Sequence, residues 1–144
     1  MITENYVSYE VAKLLKEKGF NEPTEDFYDS SGKSDDDQGL YGGSLKFGRN
    51  FWNNDPFIKS GYPEFVTFAR PTQSIVLKWL REVHNIFIAI NVSWAEGDMR
   101  NPMSWRCEII DTNTTKRDYN NFIHRPTYEE EVEAAIKYVL ENLI

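Results

Sequence analysis

The segment from Arg70 to Trp94, RPTQSIVLKWLREVHNIFIAINVSW, constrains the fold more than any other part of the chain, because a helical apolar period gives way to a strand period with only Asn85 between them. Val76, Trp79, Leu80 and Val83 fall at i, i+3, i+4 and i+7, so the spacing predicts a helix over 73–84 with all four side chains on its buried face. Pro71 disfavours helix before it, Thr72 is a suitable N-cap, and Asn85 can adopt the left-handed conformation that ends a helix. From Ile86 the period becomes two. Ile86, Ile88, Ile90, Val92 and Trp94 point one way, and Phe87, Ala89, Asn91 and Ser93 the other.

Residues 103–110 repeat that alternation, with Met103, Trp105, Cys107 and Ile109 on one side. The two strands are expected to pair as a hairpin across a turn-rich link from Ala95 to Pro102, apolar face matched to apolar face. Two further helices are predicted. Tyr9–Lys18 follows Ser8 as N-cap and ends at Gly19, and a helix after Thr127 opens with the Thr-x-x-Glu capping pattern to Glu130 and carries Val132, Ala135, Ile136, Val139 and Leu140 on one face. Glu129, Glu130 and Glu131 lie at the positive end of its dipole. Weaker strand signals occur at Glu25–Asp29, Ser44–Phe47 and Glu64–Phe68. Together these predict an α+β fold: a single two-layer domain over 1–144, with an antiparallel or mixed sheet of about five strands and three helices packed mainly on one face. The Gly-rich acidic run at about 30–43 is expected to be a mobile loop within that domain.

Charge is unevenly distributed. Lys and Arg number five against ten Asp and Glu in residues 1–48, ten against eight in 49–126, and one against five in 127–144. A net charge of -7 offers no general field for phosphate, so general nucleic-acid binding is not expected. A local basic patch of Arg70, Lys78, Arg81, Arg100 and Arg106 competes with a simpler reading, a solvated mixed-charge surface. The longest uninterrupted apolar stretch is Ile86–Ile90, and the N-terminal residues show no signal-peptide pattern, so no membrane span and a cytoplasmic location are expected. Partners are then proteins, if any; oligomeric state stays open, since a hairpin edge could pair with a second copy.

Candidate chemistry is sparse. Asp35, Asp36 and Asp37 invite a calcium loop, yet aligning Gly39 with the loop glycine puts Leu45 where a bidentate Glu is needed. Cys107 is the one cysteine and lies on the predicted core face, which suits a buried thiol better than a nucleophile. Phosphate-binding glycine motifs are missing, and no cofactor or metal is expected. His84 closes the middle helix, where an imidazolium would favour the negative dipole end, and His124 precedes the last helix. Either histidine, with a carboxylate such as Asp111, supplies the alternative reading of a small hydrolase or nucleic-acid-modifying enzyme. Trp52 lies in a loop-like stretch with Phe51, Phe57 and Tyr62, which could form an exposed aromatic platform or fold inward as a satellite cluster.

The segments YEVAKLLKEKGF, PTQSIVLKWLREVHNI and YEEEVEAAIKYVLENLI, with the aromatic strand pair, resemble a group of small uncharacterised proteins of gut anaerobic bacteria and of their phages and mobile elements. The middle motif is the specific part. The resemblance implies an intracellular accessory protein and assigns no catalytic residue. The preferred reading is therefore a non-catalytic binding or accessory protein, whose candidate contact residues are Lys78, Arg81, Glu82 and His84 on the middle helix and Trp52 in the loop.

Overall fold

The computed structural model describes residues 2–28, 52–53, 67–95, 98–118 and 125–144, with the backbone alone for 93–95, 98–103 and 118. The expected strand at Ser44–Phe47, the acidic loop with Asp35–Asp37, and His124 lie outside the described residues. The architecture is α+β. In chain order the elements are α1 (Tyr9–Glu17), β1 (Phe27–Tyr28), β2 (Phe68–Ala69), α2 (Gln73–His84), β3 (Ile86–Ala95), β4 (Asp98–Asp111), β5 (Lys116–Asp118) and α3 (Tyr128–Asn142). The five strands fall in two antiparallel sheets, β1-β2 and β3-β4-β5. The chain divides into two compact units, Met1–Thr72 and Gln73–Ile144.

In the first unit, Ser8 caps α1 by accepting a hydrogen bond from the Val11 amide at 3.2 Å, and Gly19 leaves the helix at φ +84°. Val11, Ala12 and Leu15 form the buried stripe of α1, joined by Val7, Phe20, Phe27 and Ala69. Two polar clamps hold this small core. Asn53, buried beside the exposed Trp52, donates from Nδ2 to the Phe20 carbonyl at 2.7 Å and accepts from the Ala69 amide at 2.8 Å. Asp26, 1% exposed, pairs with the Arg70 guanidinium, and the Arg70 amide donates to the Asp26 carbonyl at 2.9 Å.

The second unit follows the sequence pattern closely. Asn85 has φ +57°, the left-handed exit that separates α2 from β3. Pairing of Ile88 with Ile109, Ile90 with Cys107 and Val92 with Trp105 brings the apolar faces of β3 and β4 together as expected. Ile86, Cys107 and Ile109 are buried under Val76 and Leu80 of α2 and Val132, Ile136, Val139 and Leu140 of α3. Within the expected turn-rich link from Ala95 to Pro102, Ala95 belongs to β3 and pairs with Asp98 of β4. Asp98–Pro102 belong to β4, and register shifts on both sides of Trp94 absorb Pro102, which lacks the amide needed for regular pairing. β5 was not foreseen; it is only three residues long and polar, too short for a period.

Two side chains depart from their expected places. Val83 is 56% exposed although the helical period puts it beside buried Trp79 and Leu80. Glu131, placed by the sequence among three acids at the positive end of the α3 dipole, is buried at 2% exposure and accepts from the Arg125 guanidinium at 3.1 Å. Arg125 itself exchanges backbone hydrogen bonds with Trp105 of β4, so the ion pair ties the start of α3 to the sheet.

These burial assignments predict that Leu80→Ala costs ~2–5 kcal/mol whereas Val83→Ala stays within about 0.5 kcal/mol, as read by denaturant unfolding. Arg125→Ala should cost about 3 kcal/mol by leaving Glu131 buried without its counter-charge, and Glu131→Gln should cost less; equal losses would mean that the pair is not desolvated.

Candidate functional site

The end of α2 is built by groups distant in sequence. A helix leaves its last carbonyls without intrahelical donors, and here the β4–β5 turn at Thr112–Thr115 supplies them. Asn113 Nδ2 donates to the His84 carbonyl at 2.7 Å, while the Thr112 amide and hydroxyl both donate to the Asn85 carbonyl, at 3.1 and 2.8 Å. The turn closes on itself through Asp111, whose Oδ1 accepts from the Asn113 amide at 2.9 Å, and through Thr115 at φ +57°. Asp111 is thereby occupied as a turn-forming acceptor.

His84 does not behave as a dipole-stabilised imidazolium. Its ring packs edge-on against Trp79, with centroids 4.5 Å apart, and its Nε2 is buried with no hydrogen-bond partner among the described residues. Burial pushes its pKa below the ordinary 6.5, and no carboxylate contributes to the shift. Burial disfavours the charged form of an imidazole, and burial is the cause of this shift. The combination of His84 with Asp111 as an acid–base pair therefore lacks its contact, and Cys107 is buried. Among the described residues no group of three or more His, Cys, Asp or Glu could hold a metal ion, and no helix is long and apolar enough to cross a membrane.

The outward side of α2 is different in character. Lys78 and Glu82 are each 63% exposed and face one another at 3.8 Å, and Arg81 is exposed on the next turn. Ile75 and Val83 are exposed beside them. The four charged candidates from the sequence thus separate: Lys78, Arg81 and Glu82 share a solvent-facing surface, and His84 turns inward. Trp52 is 39% exposed and belongs to the other unit; Phe51, Phe57 and Tyr62, its expected platform, lie outside the described residues.

The basic patch also dissolves in part. Arg70 stacks over Tyr6 and Tyr28, with its guanidinium carbon 4.2 and 5.2 Å from the ring centroids, and pairs with buried Asp26. Burial works against the charged form of Arg70, yet hydrogen bonds to Asp26 and Tyr28 outweigh it and raise the pKa. The sequence reading missed Asp26, Asn53, Gln73 and Glu131 as buried polar groups. For Glu131 a signal existed, since it lies four residues before Ala135 on the apolar stripe of α3. Asn53 carried none.

Comparison of the chain with protein-family models, curated proteins and solved structures finds no match.

A lowered His84 pKa has a definite sign. The folded state resists a proton that the unfolded imidazole accepts, so the stabilisation is complete above pH 6.5 and is lost as pH falls from 6.5 toward the folded value. Wild type should lose more stability than His84→Phe between about pH 7 and about pH 5.5, as read by urea unfolding. A gain in wild-type stability over that interval would mean that the imidazolium is favoured in the fold.

Proposed function

We propose that this chain is a non-catalytic binding or accessory protein of the cytoplasm whose contact surface is the outward side of α2. One observation carries the reading: Lys78, Arg81 and Glu82 project into solvent from a helix whose opposite side is fixed in the core, with apolar Ile75 and Val83 exposed beside them. Rigid presentation of mixed charged and apolar side chains suits protein recognition, because little side-chain and backbone order remains to be imposed on binding. The apolar pair would supply desolvated contact and the charges would set register. The accessory role implied by the resemblance of the PTQSIVLKWLREVHNI motif is in keeping with this.

The test is a comparison of captured proteins from cell lysate with wild type and with the triple variant Lys78→Ala/Arg81→Ala/Glu82→Ala. All three side chains are exposed, so the fold should survive, with a stability change of about 0.5 kcal/mol or less per site. Specific recovery should fall at least several-fold in the triple variant. Equal recovery would remove this surface from the account.

A further inference from the structure

The sheet of the second unit ends, among the described residues, at β3, which pairs with β4 alone. This terminal strand is ten residues long, Ile86–Ala95, and its sequence IFIAINVSWA contains no charge, no proline and no glycine. Terminal strands in proteins that remain single are guarded by lysine, proline or a bulge, since an open row of amides and carbonyls recruits another strand. β3 has its irregularities only at Ser93–Ala95, and Ile86–Val92 pairs with β4 in unbroken register.

α2 lies over that same strand. On its flank toward α3, Gln73 Nε2 donates to the Glu129 carbonyl at 3.0 Å and to the Glu133 carboxylate at 3.3 Å. At about 100° per residue, Ile75, Trp79 and Val83 run along the opposite flank, above the open side of β3. This explains why Val83 is 56% exposed at an inward position of the helical period: the sheet stops before reaching it. A further strand added to β3 would extend the sheet beneath Val83.

We propose that the occupant of this edge is a second copy of the chain, joined about a two-fold axis with β3 antiparallel to β3 and α2 antiparallel to α2. This rests on the reading of α2 as a contact surface and names its partner. Charge order argues for a copy of itself. Lys78 precedes Glu82 by one turn, so reversing one helix against the other sets Lys78 of each copy beside Glu82 of its mate, and Ile75 beside Val83. An isologous interface requires such self-complementarity. The uncharged strand satisfies itself in the same way, giving one continuous six-stranded sheet from two sheets of three.

Mass measured by light scattering should be twice the 16.9 kDa of one chain. Lys78→Glu and Glu82→Lys, each at a side chain 63% exposed, should keep wild-type circular dichroism and run as monomers, because each places like charges across the axis. Mixing those two variants should restore the dimer, since each then meets the opposite sign. Val83→Ser should also yield a monomer. Wild type that stays monomeric to its solubility limit overturns the proposal, and so does a monomer whose outward β3 amides resist hydrogen exchange, the mark of another segment of the same chain on that edge. Single variants that remain dimers, or a mixture that does not pair, overturn this interface. A wild-type monomer that still loses captured proteins in the triple alanine variant refutes the dimer alone; a monomer that captures equally in both refutes the α2 surface as well.

Discussion

The second unit depends on the conformation of Asn85 and on the turn that grips it. A residue at φ +57° redirects the chain within one peptide from helix to strand, and the Thr112 and Asn113 groups satisfy the carbonyls which that change of direction would strand. Asn tolerates the left-handed region better than most residues, because its short polar side chain can hydrogen-bond locally; here Nδ2 reaches Asn113 Oδ1 at 3.4 Å. The consequence extends beyond the junction. With α2 and β3 so tightly joined, Val76 and Leu80 are held above Ile86, and a slip of one residue in β3 would turn Phe87 inward and Ile86 out.

Buried polar groups do comparable work at the other joints. Asp26 with Arg70, Asn53 with Phe20 and Ala69, and Glu131 with Arg125 each connect segments that are separate in sequence. Desolvating charge is costly, and such pairs are poor sources of net stability. Their effect is geometric: each tolerates few alternative partners. The first unit shows this most clearly, since its strands are two residues long and too short to fix their own register.

What could be read in the sequence follows from range. α1, α2 and α3, their Ser8 and Thr127 caps, and the exits at Gly19 and Asn85 are local signals found in the fold; of the apolar side of β3, Ile86 is buried and Ile88, Ile90 and Val92 are half-buried. What could not be read depends on partners far along the chain. Val83 carries the helical period but is 56% exposed; Glu131 sits in an acidic run but meets Arg125; His84 occupies a helix end but meets Trp79. The link from Ala95 to Pro102 reads as turn-rich, yet its residues Asp98–Pro102 belong to β4. For the candidate surface, Lys78, Arg81 and Glu82 were legible as outward by periodicity alone, whereas the exclusion of His84 needed the position of a ring.

The outward side of α2 is held in place by the α2–β3 junction, which the Thr112 and Asn113 contacts make a single rigid body. Native-state hydrogen exchange in Asn113→Ala tests it most directly. The last-turn amides of α2 and the Ile86–Ile90 amides of β3 should lose protection together and by the same free energy. Loosening confined to Thr112–Thr115, with α2 and β3 still protected as in wild type, would contradict it.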